Sequence, residues 1–228
     1  MTAVIWLLLL LPFVLGLAAQ RVVRCVFRRY RAVANHSGVT GADAARALLD
    51  AHELQHVRIE IIPGFLTDHY DGEAMALRLS EPVGRERSVA ALGIAGHEVS
   101  HAYQDADGSR AFRARSSIGR PLAQLAPWST VFLIAGFWFG VPLFIVLSLL
   151  FVGGLVLFAL ATLPVEIGAS HRALTVLRAT GLADAAEYRE IRRVLRAAAL
   201  TYVVGILDRL GYFLVLLFVA EAARRVMT

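Results

Sequence analysis

The sequence predicts a mainly α-helical protein that passes through a membrane several times and carries a small sheet of two or three strands in its soluble part. Three observations predict it. The 228 residues are 57% hydrophobic with a mean hydropathy of +0.62, too apolar for an ordinary soluble domain. Residues 128–163 hold no charged side chain at all. Residues 88–104, SVAALGIAGHEVSHAYQ, contain no proline and are rich in alanine and larger apolar side chains, as a packed helix requires.

Charge narrows the partners. The net charge is +5, and every one of the 23 basic residues is arginine. No aromatic residues interleave with them in the manner of a nucleic-acid surface, which argues against that partner class. Arginine beside apolar spans marks the cytoplasmic face of a membrane instead, so the lipid bilayer is the expected surrounding. The single cysteine, Cys25, forms no internal disulfide and supplies no cysteine-based metal site. Nothing in the sequence bears on oligomeric state.

Residues 1–20 form the first predicted segment, a transmembrane one. Residues 3–19, AVIWLLLLLPFVLGLAA, are uncharged and sit at the short end of what spans a bilayer. A cleaved signal peptide carries positive charge before its apolar core. Here none precedes it, and Arg21, Arg24, Arg28, Arg29 and Arg31 follow. The asymmetry favours an anchor with its N-terminus outside.

Residues 21–127 read as a cytoplasm-facing part. Thr40-Gly41-Ala42-Asp43 starts a helix expected to run to about residue 52. Gln55 to Ile61 alternates and reads as a strand, and Pro63-Gly64 makes a turn. Thr67 to Gly72 reads as a polar turn, and Ala76 to Ser80 as a second short strand. An edge strand beside the following helix would suit an extended peptide.

That helix carries His97-Glu98-Val99-Ser100-His101, the pattern H-E-x-x-H. Residues four apart share one face of a helix. Two imidazoles so placed grip one metal ion, and the glutamate between them stands where it takes a proton from a water held there. The pattern describes a zincin-like metal helix. With 7 histidines in the chain, residue frequencies give roughly 0.01 accidental matches. Gly93 and Gly96 strip side chains from one surface of this helix, which makes either room for a site or a close helix contact.

Residues 128–163 are too long for one straight span at about 1.5 Å per residue. Pro142 and Gly140 lie near the middle, so a transmembrane hairpin with its turn around 140–144 is expected; one long kinked helix is the alternative. Residues 164–198 follow as an Arg-rich helical part with a break at Gly181. Pro164 is expected to kink the chain or start a new helix. Glu166 is the first charge after the apolar run, and a carboxylate there suits a third metal ligand. Two histidines and one carboxylate leave a position open for water, as a hydrolytic zinc site requires. His97, His101 and Glu166 share one ion only if the number of membrane crossings between them is even, which demands the hairpin. Residues 199–228 form a C-terminal apolar segment and tail, interrupted by Asp208-Arg209. A charge pair inside a membrane faces protein or water, so this segment either spans or packs against the site.

The strings TDHYDGEAMALRLSE, SVAALGIAGHEVSHAYQ, TLPVEIGASHRAL and AALTYVV, in that order, resemble the YugP-type membrane zinc metallopeptidases. The resemblance covers most of residues 38–204. In plan the chain is also similar to the HtpX-like membrane proteases, in which a hairpin separates H-E-x-x-H from a ligand glutamate. The resemblance implies His97, His101 and Glu166 as zinc ligands and Glu98 as general base. The chain departs from the family at Ser100, where glycine is usual, at Ile167 and Gly168, and at His171, where arginine is usual; the last is five residues past Glu166 and off its helical face.

The expected function is hydrolysis of peptide bonds in a peptide or membrane-protein substrate by a zinc metalloendopeptidase of a bacterial cytoplasmic membrane, with its active site facing the cytoplasm. The rivals are a zinc-binding structural or regulatory membrane protein and a metal-free scaffold. Asp68, His69, Tyr70 and Asp71 form a second polar cluster, read either as a substrate contact or as turn chemistry. Tyr202 is a conceivable oxyanion donor or a plain interfacial tyrosine. His36, His52 and His56 have no partner pattern and are expected at the surface.

Overall fold

The computed structural model of the chain describes the backbone of residues 2–227 and all side chains except those of residues 1–6, 8, 9, 120, 219 and 222–228; the side chains of Arg224 and Arg225 thus lie outside the described residues. The chain is mainly helical: α1 (Thr2–Arg31), α2 (Gly41–Ala51), α3 (Glu81–Arg85), α4 (Val89–Ala106), α5 (Arg110–Trp138), α6 (Pro142–Ala179) and α7 (Ala185–Met227). Strands β1 (Arg58–Ile62), β2 (His69–Asp71) and β3 (Ala76–Ser80) make one small sheet in the order β1-β3-β2. Stretches Leu10–Arg31, Pro142–Ala179 and Ala185–Phe218 are long and apolar enough to cross a membrane. The residues group into two compact units. One holds Met1–Gln20, Ala114–Leu163 and Thr201–Thr228; the other holds Arg21–Arg113 and Pro164–Leu200.

In the first unit, α5 and α6 make an antiparallel helical hairpin. A Cβ on Gly136 would stand 2.7 Å from the Ile145 side chain, the Ser148 hydroxyl donates to the Ser129 carbonyl at 2.7 Å, and a Cβ on Gly119 would stand 3.2 Å from Phe158. The turn occupies residues 139–141, where Gly140 takes a φ of +64° that suits a residue without Cβ. The helices extend beyond the uncharged run at both ends. α7 meets both arms, with the Tyr212 and Thr130 hydroxyls 3.3 Å apart and Phe213 against Gly153. Asp208 and Arg209 do not interrupt α7. Asp208 lines a cavity of about 250 Å³ shared with Pro12, Gly16, Gln20 and Thr201. Arg209 donates to the Gly205 carbonyl one turn back at 2.9 Å.

Of the two expectations for Pro164, the new helix is corrected: none starts there, and α6 runs through it to Ala179. Proline lacks one backbone N–H, but neighbouring packing in an apolar helix tolerates that loss. α7 carries the Arg-rich stretch and the C-terminal apolar stretch as one helix.

The second unit is built on α4. Ser88 caps its N-terminus, its hydroxyl accepting the Ala91 N–H at 3.1 Å. Leu48 and Leu49 of α2, Leu77 and Leu79 of β3, Leu177 of α6 and Ile191 of α7 join α4 residues in one buried core. α2 begins at Thr40 with a full capping box: the Thr40 hydroxyl accepts the Asp43 N–H at 3.1 Å, and the Asp43 carboxylate accepts the Thr40 N–H at 3.2 Å. β1 pairs parallel with β3, and β2 antiparallel. Arg78 on the central strand bridges both neighbours, donating to Glu60 at 2.9 Å and to Asp71 at 2.6 Å.

β2 corrects the reading of Thr67 to Gly72 as turn alone. His-Tyr-Asp carries no apolar alternation; its strand conformation comes from the register His69 opposite Arg78, Tyr70 opposite Leu77 and Asp71 opposite Ala76. The two glycines of α4 are also resolved. A Cβ on Gly93 would stand 2.9 Å from the Ile191 side chain, and one on Gly96 2.9 Å from Leu177. They are sites of close helix packing, not room for a ligand.

Candidate metal centre

α4 places His97 and His101 one turn apart on one face, their rings edge to face with centroids 4.8 Å apart. Glu166 comes from α6, as the third residue of the second unit's Pro164–Leu200 segment, after the chain has run out along α5 and back. Its Oε2 lies 3.3 Å from His97 Nε2, and its Oε1 lies 3.8 Å from His101 Nε2. One ligand atom from each residue falls within 4.8 Å of the other two. Two ligand atoms bound tetrahedrally to one zinc at about 2.0–2.1 Å stand about 3.3 Å apart. The donor set therefore suits that ion in atom type and in spacing. The side chains of Glu166 and His101 are 2% and 4% exposed, whereas that of His97 is 15% exposed and marks the open side. A carboxylate this deeply buried is costly without a cation or hydrogen-bond donors beside it.

Glu98 is buried between the two histidines in sequence, and its Oε2 accepts the Tyr70 backbone N–H at 3.1 Å. β2 is an edge strand of the sheet, and this N–H points away from β3 towards α4. The Tyr70 hydroxyl reaches Asp105, two turns further along α4, at 3.2 Å. Burial first, and then the Asp105 charge, push the Tyr70 hydroxyl pKa up. Phe112 stands between the Tyr70 ring, with centroids 6.0 Å apart, and the His101 ring, at 5.6 Å. These contacts set β2 and the start of α5 as walls of the site.

Each histidine is engaged at its other nitrogen. His101 Nδ1 lies 2.9 Å from Gln104 Oε1, and Gln104 Nε2 donates to the Val165 carbonyl at 3.0 Å. His97 Nδ1 lies 3.2 Å from the Ser170 hydroxyl. Neither Gln104 nor Ser170 belongs to the H-E-x-x-H pattern. Their signals are spacing alone: three residues after His101, and four after Glu166.

A family described as "Putative neutral zinc metallopeptidase" matches residues 5–221. The chain belongs to this family. Among its relatives is a protein of Bacillus subtilis (strain 168) named "Putative membrane protease YugP", 39% identical over 195 residues that cover 85% of this chain and 87% of the relative. No solved structure matches.

The remaining polar candidates of this zinc metallopeptidase family member fall outside the His-His-Glu group. Asp68 ties the loop before β2 to the end of β3, accepting the Ser80 N–H at 2.7 Å and its hydroxyl at 2.9 Å. Burial pushes the Asp68 carboxyl up, and the Ser80 donors pull against that. His69 is exposed, its Nδ1 2.8 Å from the Thr67 carbonyl. Asp71 accepts from the Ala74 N–H and from Arg78, which hold its carboxyl below the usual range. His171 is exposed on α6. His36, His52 and His56 are exposed too, but His52 stacks on Tyr103 with centroids 4.0 Å apart. Tyr202 belongs to the first unit and is 38% exposed. Ser100, buried in α4, donates to the Gly96 carbonyl one turn back at 2.8 Å, so its hydroxyl serves the helix.

Proposed function

We propose that this chain is a multi-pass membrane zinc metalloendopeptidase, with a zincin-like site on its cytoplasmic side that hydrolyses peptide bonds of a peptide or membrane-protein substrate. One observation carries the reading: two imidazole nitrogens and a buried carboxylate, from helices joined by a long apolar hairpin, converge within 4.8 Å. His97, His101 and Glu166 would hold zinc. When bound there, zinc supplies an activated water, with its pKa lowered to about 7, and a Lewis acid for the scissile carbonyl.

The chain's own groups do the rest. Glu98 takes the proton of the attacking water and hands it to the departing amine. The Tyr70 N–H holds the Glu98 carboxylate in place from the edge of the sheet. The substrate is read as an extended peptide laid beside β2, an edge strand of the sheet, whose Tyr70 N–H is already taken by Glu98. Phe112 and the Tyr70 ring shield one side from water.

The membrane plan follows from charge. No charged residue lies between Arg120 and Glu166; α6 is long and apolar enough to span, and we read the uncharged part of α5 as the shorter outward crossing that makes the number even. α1 and α7 add the other spans. Arg21 to Arg31 and Arg189 to Arg196 belong to the same unit as the site, and arginine-rich flanks stay in the cytoplasm.

The test is cleavage of an unfolded membrane protein by purified, zinc-loaded protein in detergent, beside Glu98→Gln. Activity in the wild type and a loss of about 10²- to 10⁴-fold in the variant, at equal zinc content, supports the reading. Stoichiometric zinc with no cleavage would point to the structural role instead.

A further inference from the structure

We infer that Gln104 and Ser170 are positioning residues that decide which nitrogen each histidine offers to the metal. This rests on the assignment of His97, His101 and Glu166 to zinc, and deepens it.

The case for Gln104 follows from which atoms are able to donate. The Val165 carbonyl only accepts, so the end of the Gln104 side chain 3.0 Å away is the NH₂ group. The amide oxygen therefore faces His101 Nδ1 at 2.9 Å. That oxygen also only accepts, so Nδ1 carries the hydrogen. In a neutral imidazole the lone pair is then on Nε2, the atom that faces Glu166 at 3.8 Å. The tautomer of one ligand is thus fixed by the backbone carbonyl of the residue just before another ligand. The same amide ties α4 to α6 where Glu166 leaves α6.

Ser170 does the equivalent for His97. It stands one turn beyond Glu166 on α6, with its hydroxyl 3.2 Å from His97 Nδ1. When that hydroxyl, which both donates and accepts, takes the Nδ1 hydrogen, the lone pair is left on Nε2, 3.3 Å from the Glu166 carboxylate. Each helix thus carries ligands and an orienting group for a histidine: α4 carries both histidines with the amide, and α6 the carboxylate with the hydroxyl. Partners of this kind raise ligand basicity and hold ring orientation, and losing one costs about 10- to 100-fold in metal affinity. The two are not equal. The Gln104 amide is anchored at both ends, whereas a hydroxyl rotates, so Gln104 is the stronger of the pair.

The experiment measures zinc affinity of the full-length protein in detergent against a competing chelator, together with the visible spectrum of the cobalt(II)-substituted protein. The proteins are wild type, Gln104→Leu, Gln104→Glu and Ser170→Ala. Gln104→Leu is expected to bind zinc about 10- to 100-fold more weakly and to shift the cobalt bands. Gln104→Glu keeps an acceptor for Nδ1 and loses the N–H for Val165; its recovery of affinity assigns the effect to the imidazole. If Glu fails to recover what Leu loses, Gln104 is only a helix tether and the inference falls. Ser170→Ala, a small truncation, serves if Gln104→Leu does not fold: about tenfold weaker binding supports the inference, and wild-type affinity with an unshifted spectrum overturns it. A wild type that binds no zinc overturns the metal assignment itself, an outcome distinct from unaffected variants of a zinc-binding wild type.

Discussion

His97 Nε2 and Glu166 Oε2 stand 3.3 Å apart although 69 residues separate them in the chain. What lies between is the α5–α6 hairpin. The apolar run is therefore not simply an anchor: its return brings α6, and with it the acid, back to α4. A histidine pair one turn apart is cheap to encode on a helix. In this chain the third residue of the group arrives only after the hairpin.

Glu166→Ala is expected to abolish stoichiometric zinc. The loss should exceed the about 10- to 100-fold typical of an outer partner, because a ligand itself is gone. Metal analysis after dialysis checks this, with circular dichroism confirming helix content. Zinc retained in full by this variant would remove Glu166 from the site.

Gly41→Ala is expected to destabilise the second unit by about 1–3 kcal/mol. A Cβ there would stand 2.1 Å from the Val83 carbonyl oxygen, so backbone rather than a side-chain tip must move. Urea unfolding followed by tryptophan-independent helix signal reads the change. The same experiment on Gly96→Ala is expected to give a smaller loss, since the Leu177 side chain it would meet at 2.9 Å has rotamers to adjust.

Acid sensitivity has a definite sign. The Ala74 N–H and Arg78 hold the Asp71 carboxyl below its usual range. A group lowered in the folded state contributes stability above its unfolded value of about 3.9, and that contribution is lost as pH falls through the folded value. Asp43, held low by the Thr40 hydroxyl, acts in the same sense. Asp68, pushed up by burial, acts in the opposite sense, losing its contribution as pH rises through its folded value. Asp71→Asn is therefore expected to flatten the fall in stability below about pH 4, measured by denaturant midpoints across that range.

Much of the candidate His-His-Glu group is legible in the sequence because its signals are local. H-E-x-x-H needs only helix periodicity, and α4 supplies it. Glu166 stood out as the first charge after an uncharged run, and Gly140 with Pro142 marked the turn within a residue or two. The less legible features depend on distant partners. β2 is a strand because β3 lies beside it, and three polar residues give no alternation to read. Gly93 and Gly96 take their meaning from Ile191 and Leu177, 98 and 81 residues further along the chain, and nothing in the local pattern points to either. Pro164 looks like a helix start in sequence, yet α6 passes through it. Gln104 and Ser170 lie at helical spacing from ligands, but spacing does not say which neighbour carries a hydrogen bond.

The most direct measurement of the central claim is zinc-edge X-ray absorption on the purified full-length protein. The expected result is one zinc per chain with two imidazole nitrogens and carboxylate or water oxygen, all at about 2.0–2.1 Å, and loss of one oxygen scatterer or of the metal in Glu166→Ala. Absence of stoichiometric zinc, or a shell with fewer than two imidazoles, would contradict it.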